Sequence, residues 1–283
     1  LVATLDLPLT LHQRKINGHT INYAVLGSGE PLLLIHGANF GWGVWYPNLP
    51  LLAKHYTVYA LDLPGAGRSS VIDYATLDAK KDLFDVVEQF VTKLNLQNLR
   101  IIGCSVGGWL AMTLALAQPA RVKKIVVENS VGFADYFGFG DLVISQYPLA
   151  QLITRTLLKP HRQNKRIEQF LRSIFFHKSL PILPAFLEYF YETMSGSHNL
   201  LFISRLTALR EHFVLGSRLS KIHQPTMIVW GKEDTIMPLL KNQPNFSLIP
   251  HAQTVLIDEA GHIPSFEQPD RFHEAVLPFL REV

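Results

Sequence analysis

The chain has 283 residues, 48% of them hydrophobic and 17% charged. That apolar share excludes a disordered chain, which cannot bury enough surface to offset its ordering entropy. The formal charge of +3, from 26 Lys and Arg against 23 Asp and Glu, is too small a surplus to argue for a nucleic-acid-binding face.

From the N-terminus, residues 12–25 contain two extended runs around Asn17-Gly18, a strong type I′ hairpin signal. Leu32 to Ile35 is a short solid apolar run ending in His36-Gly37, and residues 56–62 form a second, ending in Pro64-Gly65. Such runs, stopped by glycine and polar residues, are typical of buried parallel strands. Between Leu77 and Leu94 the apolar residues Leu83, Val86, Val87, Phe90 and Leu94 recur at helical spacing, with lysines and acids on the other side. This predicts a surface helix laid on a sheet. Residues 99–103 read as a third buried strand, 107–118 as an apolar helix stopped by Pro119, and 124–128 as a fourth strand. Near the C-terminus, 226–230 and 253–257 read as strands and 272–280 as a closing helix. Strands alternating with helices predict a mostly parallel sheet covered on both faces. Ligands of such sheets bind beyond the carboxyl ends of the strands.

Residues 131–219 differ. They hold 14 of the 30 aromatics and 10 Lys and Arg against 6 Asp and Glu. Apolar groups at 170–176 and 186–191, broken by Pro160, Pro181, Pro184 and Gly196, predict a helical insertion with its own small core. The expected division is a core domain of residues 1–130 and 220–283 and a helical cap of residues 131–219.

The sharpest local signal is Gly103-Cys104-Ser105-Val106-Gly107, placed between a predicted strand and a predicted helix. A serine presented on so sharp a turn needs glycine two residues to either side, because side chains there would clash. Ser105 is therefore the candidate nucleophile. Its base is expected in a loop at a strand's carboxyl end, where His262 lies in Ala260-Gly261-His262. Asp234 follows an earlier strand and is the candidate orienting acid, with Glu233 and Glu128 as alternatives. The chain order Ser105, Asp234, His262 is the order such a triad takes on an open sheet. Two backbone donors should stabilise the oxyanion, Val106 N–H after the nucleophile and Ala38 N–H after His36-Gly37. His36 reads as structural, holding that loop. Candidate substrate contacts are Asn39, Trp42, Phe133 and Phe137.

Other chemistry finds little support. No dinucleotide or P-loop glycine motif occurs, Gly65-Ala66-Gly67-Arg68-Ser69 lacks the lysine, and one cysteine, Cys104, builds no thiolate zinc site. That single cysteine also excludes an internal disulfide and fits a reducing compartment. No apolar run reaches the ~18 residues of a membrane span. The start of the chain has no basic region or cleavage site and does not read as a signal peptide.

Taken together, His36-Gly37-Ala38, Asp62 to Ser69, Gly103 to Gly108, Trp230 to Asp234, and Gly261-His262 with Phe266-Glu267-Gln268-Pro269 resemble the α/β-hydrolase superfamily, in its capped serine-hydrolase group. The resemblance covers essentially the whole chain. It implies an α/β fold with an eight-stranded, mostly parallel sheet, one antiparallel strand near the N-terminus and an active site under the cap. It carries over Ser105, Asp234 and His262 as triad and Ala38 and Val106 as oxyanion donors, with no metal or organic cofactor. Epoxide- and halide-processing relatives use aspartate where Ser105 stands. Relatives that cleave carbon–carbon bonds resemble the chain in outline, but usually show a proline-containing glycine-rich loop where Ala38-Asn39-Phe40-Gly41-Trp42-Gly43 stands here.

The expected function is hydrolysis of a carboxylic ester of a small to medium apolar substrate through an acyl-enzyme. A carbon–carbon hydrolase, lactonase or perhydrolase would use the same triad. A non-catalytic binding protein would explain cap and pocket but not three correctly ordered residues. The expected partner is a small molecule only, with no nucleic acid, for a cytoplasmic monomer or homodimer.

Overall fold

The computed structural model describes residues 8–38, 40–135, 175–177, 186, 189, 205–206 and 208–282. Asn39, Phe137 and most of the expected cap lie outside the described residues.

The chain enters through a hairpin, β1 (Thr10–Ile16) and β2 (His19–Leu26). Asn17 and Gly18 both take positive φ, 48° and 83°, as the two central residues of a type I′ turn must. The remaining strands are β3 (Glu30–Ile35), β4 (Tyr56–Leu61), β5 (Leu99–Cys104), β6 (Val122–Glu128), β7 (Thr226–Gly231) and β8 (Gln253–Ile257). Their order in the sheet is β1-β2-β4-β3-β5-β6-β7-β8. Only β2 runs against its neighbours; every pairing from β4 to β8 is parallel. All eight strands expected from the sequence are present.

The pleat divides the core between the two faces. Leu33, Ile35 and Ile101 pack on one face, Leu32, Leu34 and Ile102 on the other. Helices α1 (Asp85–Lys93) and α2 (Val106–Ala117) cover the first face through Val87, Phe90, Leu110 and Leu114. Helix α3 (Pro269–Arg281) covers the second through Phe272, Val276 and Leu280. The helix expected over 77–94 begins differently. Asp78 accepts from the Lys80 and Lys81 amides at 2.9 and 3.0 Å, and a π-helical turn, Ala79–Phe84, leads into α1. Among the described residues, no helix is long and apolar enough to cross a membrane.

Candidate active site

The turn between β5 and α2 is shaped by what cannot fit there. A Cβ on Gly103 would overlap the Gly107 carbonyl, and one on Gly107 would overlap the Ile35 carbonyl of β3. A Cβ on Gly108 would overlap the Ser130 side chain. The chain can therefore turn from strand into helix only with glycine at these positions. Ser105 sits at the apex with φ 54° and ψ −118°. That conformation costs a non-glycine residue about 1–3 kcal/mol. It is held by Ser105 N–H donating to the Glu128 carbonyl at 2.9 Å, while the Ser105 carbonyl accepts from Gly108 at 3.0 Å and Val131 at 3.3 Å. A Cβ on Gly37 would stand 3.0 Å from Ser105 Cβ and 3.7 Å from Oγ, so the loop after β3 faces the serine directly.

Asp234 and His262 meet from the ends of β7 and β8. His262 Nδ1 donates to Asp234 Oδ2 at 2.8 Å, with both side chains buried. Asp234 Oδ1 accepts from the Ile236 and Met237 amides at 2.8 and 3.0 Å, and the Asn129 amide donates to Oδ2. Burial opposes the Asp234 charge, but His262 and these donors outweigh it and hold the carboxyl below the usual range. Burial likewise opposes a charged His262. Asp234, with Glu128 and Glu267 behind it, reverses the balance and raises the imidazole above its ordinary value. With Nδ1 bound to the carboxylate, Nε2 is left for a proton from elsewhere. The Cys104 thiol donates to the His262 carbonyl at 3.8 Å, which sets the histidine loop against the residue preceding Ser105.

Two side chains not singled out from sequence hold these loops. Asn129 Oδ1 accepts from Gly231 N–H at 3.0 Å while its amide reaches Asp234 and the Gly261 carbonyl, so one asparagine at the end of β6 ties three segments together. Glu267 Oε1 accepts from Gly261 and Ile263, the residues flanking His262, at 2.9 and 3.2 Å. Glu267 Oε2 accepts from His177 N–H at 2.7 Å, and His262 N–H donates to the Phe175 carbonyl at 3.0 Å. The stretch from Phe175 to His177 is thus bonded to His262 at one end and to Glu267 at the other. The motif Phe266-Glu267-Gln268-Pro269 was visible in the sequence, but nothing in its spacing announces that clamp. Phe175 carried no signal beyond its apolarity.

The two alternative acids serve other bonds. Glu128 is fully buried and accepts from the Ser265 amide and, at 3.0 Å, from its hydroxyl; burial pushes its carboxyl up to about 7. Glu233 accepts from Ala260 N–H at 3.0 Å and ties the β7 loop to the β8 loop. His36 Nε2 accepts from Leu63 N–H at 2.9 Å while Nδ1 meets the Gly37 carbonyl, and burial lowers its titration to about 4. A neutral imidazole therefore braces the loop that carries Ala38. Asp62 braces the same loop from the other side, accepting from Trp42 N–H and Asn22 Nδ2 at 2.7 Å and from Arg68 N–H at 2.9 Å. Val106 is the first residue of α2, so its N–H has no acceptor within the helix.

The expected substrate contacts are scattered. Trp42 is 1% exposed and packs on Tyr189, and Phe133 is 2% exposed between Trp230 and Phe246. Neither ring presents free surface. Phe40 packs edge-on to Phe175, and Tyr46, Phe186 and Phe266 form a second aromatic group beside it.

A serine on a strained strand-to-helix turn, with an acid–histidine pair at neighbouring strand ends, on a sheet of this order, defines a class. Residues 30–269 match the model of the alpha/beta hydrolase fold family, and the chain belongs to that family. It is a hydrolase of this fold. Among curated proteins it is similar to the 2-hydroxy-6-oxononadienedioate/2-hydroxy-6-oxononatrienedioate hydrolase 2 of Pseudomonas putida, 28% identical over 271 residues, 92% of this chain and 91% of that protein. Among solved structures it is similar to a membrane phospholipase A described as a bacterial virulence factor, with a TM-score of 0.80 and 26% identity over 96% of this chain and 86% of that one. It also superposes on the meta-cleavage product hydrolase CumD, with a TM-score of 0.78 over 96% of this chain and 98% of that one. At 24% identity, that likeness speaks to the fold alone.

Proposed function

We propose that the protein is a serine hydrolase that cleaves carboxylic esters of small to medium apolar substrates through an acyl-enzyme. The observation that carries this reading is the 2.8 Å bond from His262 Nδ1 to buried Asp234, at strand ends beside a strained Ser105. Asp234 fixes the tautomer in which His262 Nε2 is the base. Ser105 Oγ gives its proton to Nε2 and attacks the ester carbonyl. The Ala38 and Val106 N–H groups receive the oxyanion. His262 then protonates the departing alcohol, and a water activated by the same histidine releases the acid.

The choice of an ester rests on two supports. The first is the likeness to a phospholipase at 26% identity. The second is the aromatic group of Phe40, Tyr46, Phe175 and Phe186, which joins the core to Phe175 and Phe186 and suits an apolar acyl or alcohol group. On this reading residues 131–219 are a cap that sets substrate preference, Asn39 and Phe137 belong to the substrate pocket while the buried rings of Trp42 and Phe133 do not, and the enzyme is a cytoplasmic monomer or homodimer. A second reading, hydrolysis of a carbon–carbon bond in a ring-fission product, is favoured by the Pseudomonas putida relative.

Labelling with a fluorophosphonate tests the nucleophile. A mass shift located on Ser105 is the expected result, and an unlabelled Ser105 would overturn the reading. p-Nitrophenyl esters from acetate to octanoate, run beside a vinylogous 1,5-diketone, then separate the two substrate classes. Each accommodated methylene should contribute up to about 0.8 kcal/mol, roughly fourfold in kcat/KM. The rate constant should rise from acetate to butyrate and then level. Turnover of the diketone alone would establish the second reading.

A further inference from the structure

On the α2 side of the sheet, three segments meet without filling the space between them. They are the stretch from Thr76 to Phe84, the outer half of α2, and the segment from Arg205 to Arg218 that leads back into β7. The cavity they leave measures about 720 Å³. It lies apart from the candidate active site, since Ser105, Asp234, His262 and Ala38 are not in its wall. Thr113 stands eight residues past Ser105, about 12 Å along α2 at 1.5 Å per residue.

Three polar groups of that wall have no partner. Trp109 and Thr113 are 6% and 7% exposed, and Trp109 Nε1 and Thr113 Oγ1 are buried without a hydrogen-bond partner. Arg205 Nε is buried and partnerless as well. Leaving such a group unpaired costs about 1–3 kcal/mol, so three on residues that line one cavity are a large expense. Trp109 Nε1 and Arg205 Nε can only donate, and the Thr113 hydroxyl can donate as well as accept. They call for an acceptor, and the charges agree. Arg205 and Arg218 face the cavity, and among the described residues no carboxylate pairs with either. The acid in the wall, Asp78, already accepts two backbone amides, and Lys80 is paired with Asp85 at 2.9 Å. The wall also carries His212 and Thr76, whose hydroxyl donates to the Asp73 carbonyl at 3.2 Å, and its apolar part includes Phe84, Leu116 and Leu209.

We propose that this cavity is a second ligand site, which takes an amphiphilic anion. A carboxylate or phosphate head is held by Arg205, Arg218, Thr113 and Trp109, and an aliphatic body lies along Phe84, Leu116 and Leu209. The site is independent of the reaction assigned to Ser105.

Calorimetric titration of the full chain, with its catalytic serine blocked by a fluorophosphonate, tests it. The probes are decanoate and dodecyl phosphate, with decanol and decyltrimethylammonium as uncharged and cationic controls. The expected result is one equivalent of at least one anion and neither control; which anion binds identifies the head group. Arg205→Gln should weaken that binding at least tenfold, because a charge-assisted bond is lost, and Thr113→Val should weaken it severalfold. Leu116→Trp should fill the cavity and abolish binding. Thermal unfolding of each variant confirms that it is folded. No saturable binding to the parent chain, equal affinity for decanol, or unchanged affinity in all three folded variants would overturn the proposal. If the fluorophosphonate fails to label, the reading of Ser105 falls, while the variants still locate anion binding at this cavity or elsewhere.

Discussion

At the end of β5, position is enforced by exclusion: any Cβ at 103, 107 or 108 would overlap a neighbour. At the ends of β7 and β8, position is enforced by attraction. Asn129, Glu233 and Glu267 each accept from backbone of a neighbouring loop, and Asp234 accepts from the His262 side chain. The two regions therefore fail differently. A steric turn tolerates no enlargement but needs no charge. A hydrogen-bonded pair of loops tolerates changes of volume but depends on the ionisation of its acids.

The largest expected effect separates chemistry from scaffold. Ser105→Ala removes the hydroxyl and leaves every backbone bond of the turn in place. Turnover of the best ester should fall about a hundred-thousandfold or more, with the fold unchanged. Single-turnover kinetics and circular dichroism check both halves. Residual turnover near 1% would show that a covalent step through Ser105 is not the route.

Asp234→Asn should come next, with kcat lower by about ten-thousandfold. The amide cannot hold His262 in the tautomer that leaves Nε2 as acceptor. Its Oδ2 position also faces the Asn129 amide, so a donor would meet a donor. Steady-state kinetics at pH 8 read the loss. A drop of less than tenfold would return Glu128 to consideration as the acid.

Gly107→Ala probes the steric region alone. The new methyl overlaps the Ile35 carbonyl, a backbone atom of a central strand that cannot swing aside. Destabilisation should be about 3 kcal/mol, the upper range for overpacking, measured by urea denaturation. Gly18→Ala is the contrasting control. Its Cβ meets nothing within 4 Å, so only the cost of its positive φ remains.

The difference between the regions also explains what was legible before any coordinates. Exclusion writes itself into sequence as glycine at fixed spacing, and buried parallel strands as solid apolar runs, so Ser105 and all eight strands were readable. Attraction across loops leaves no local mark. Asn129 is 105 residues from Asp234, and Glu267 is 90 from His177. Each looks like an ordinary polar residue until the sheet brings the strand ends together. The π-helical entry to α1 was missed for a related reason: Asp78 caps it through two local amides, a choice that apolar periodicity does not record.

The smallest effect tests the attractive region most finely. Glu267→Gln keeps one carbonyl oxygen, which can still accept from Gly261 and Ile263. The new NH₂ must then face His177 N–H, where Oε2 accepted before. The bond to residue 177 should break while the clamp on the histidine loop survives, so kcat/KM should fall only severalfold. The charge removed is one of those that raise His262, so its titration should move down. The sign follows from the proposed role of the neutral imidazole as base. In the parent protein kcat/KM should rise with pH along a limb whose midpoint lies above 6.5, because the folded protein favours the imidazolium. In Glu267→Gln that limb should shift to lower pH. Stability runs the opposite way: the contribution of charged His262 is complete below its unfolded value of about 6.5 and is lost as pH rises through the higher folded value. Catalysis thus uses the protonation state that the fold favours less. A pH–rate profile of the two proteins on a soluble ester decides the matter. A limb unmoved by Glu267→Gln, with activity lowered all the same, would reduce Glu267 to a mechanical support for the histidine loop.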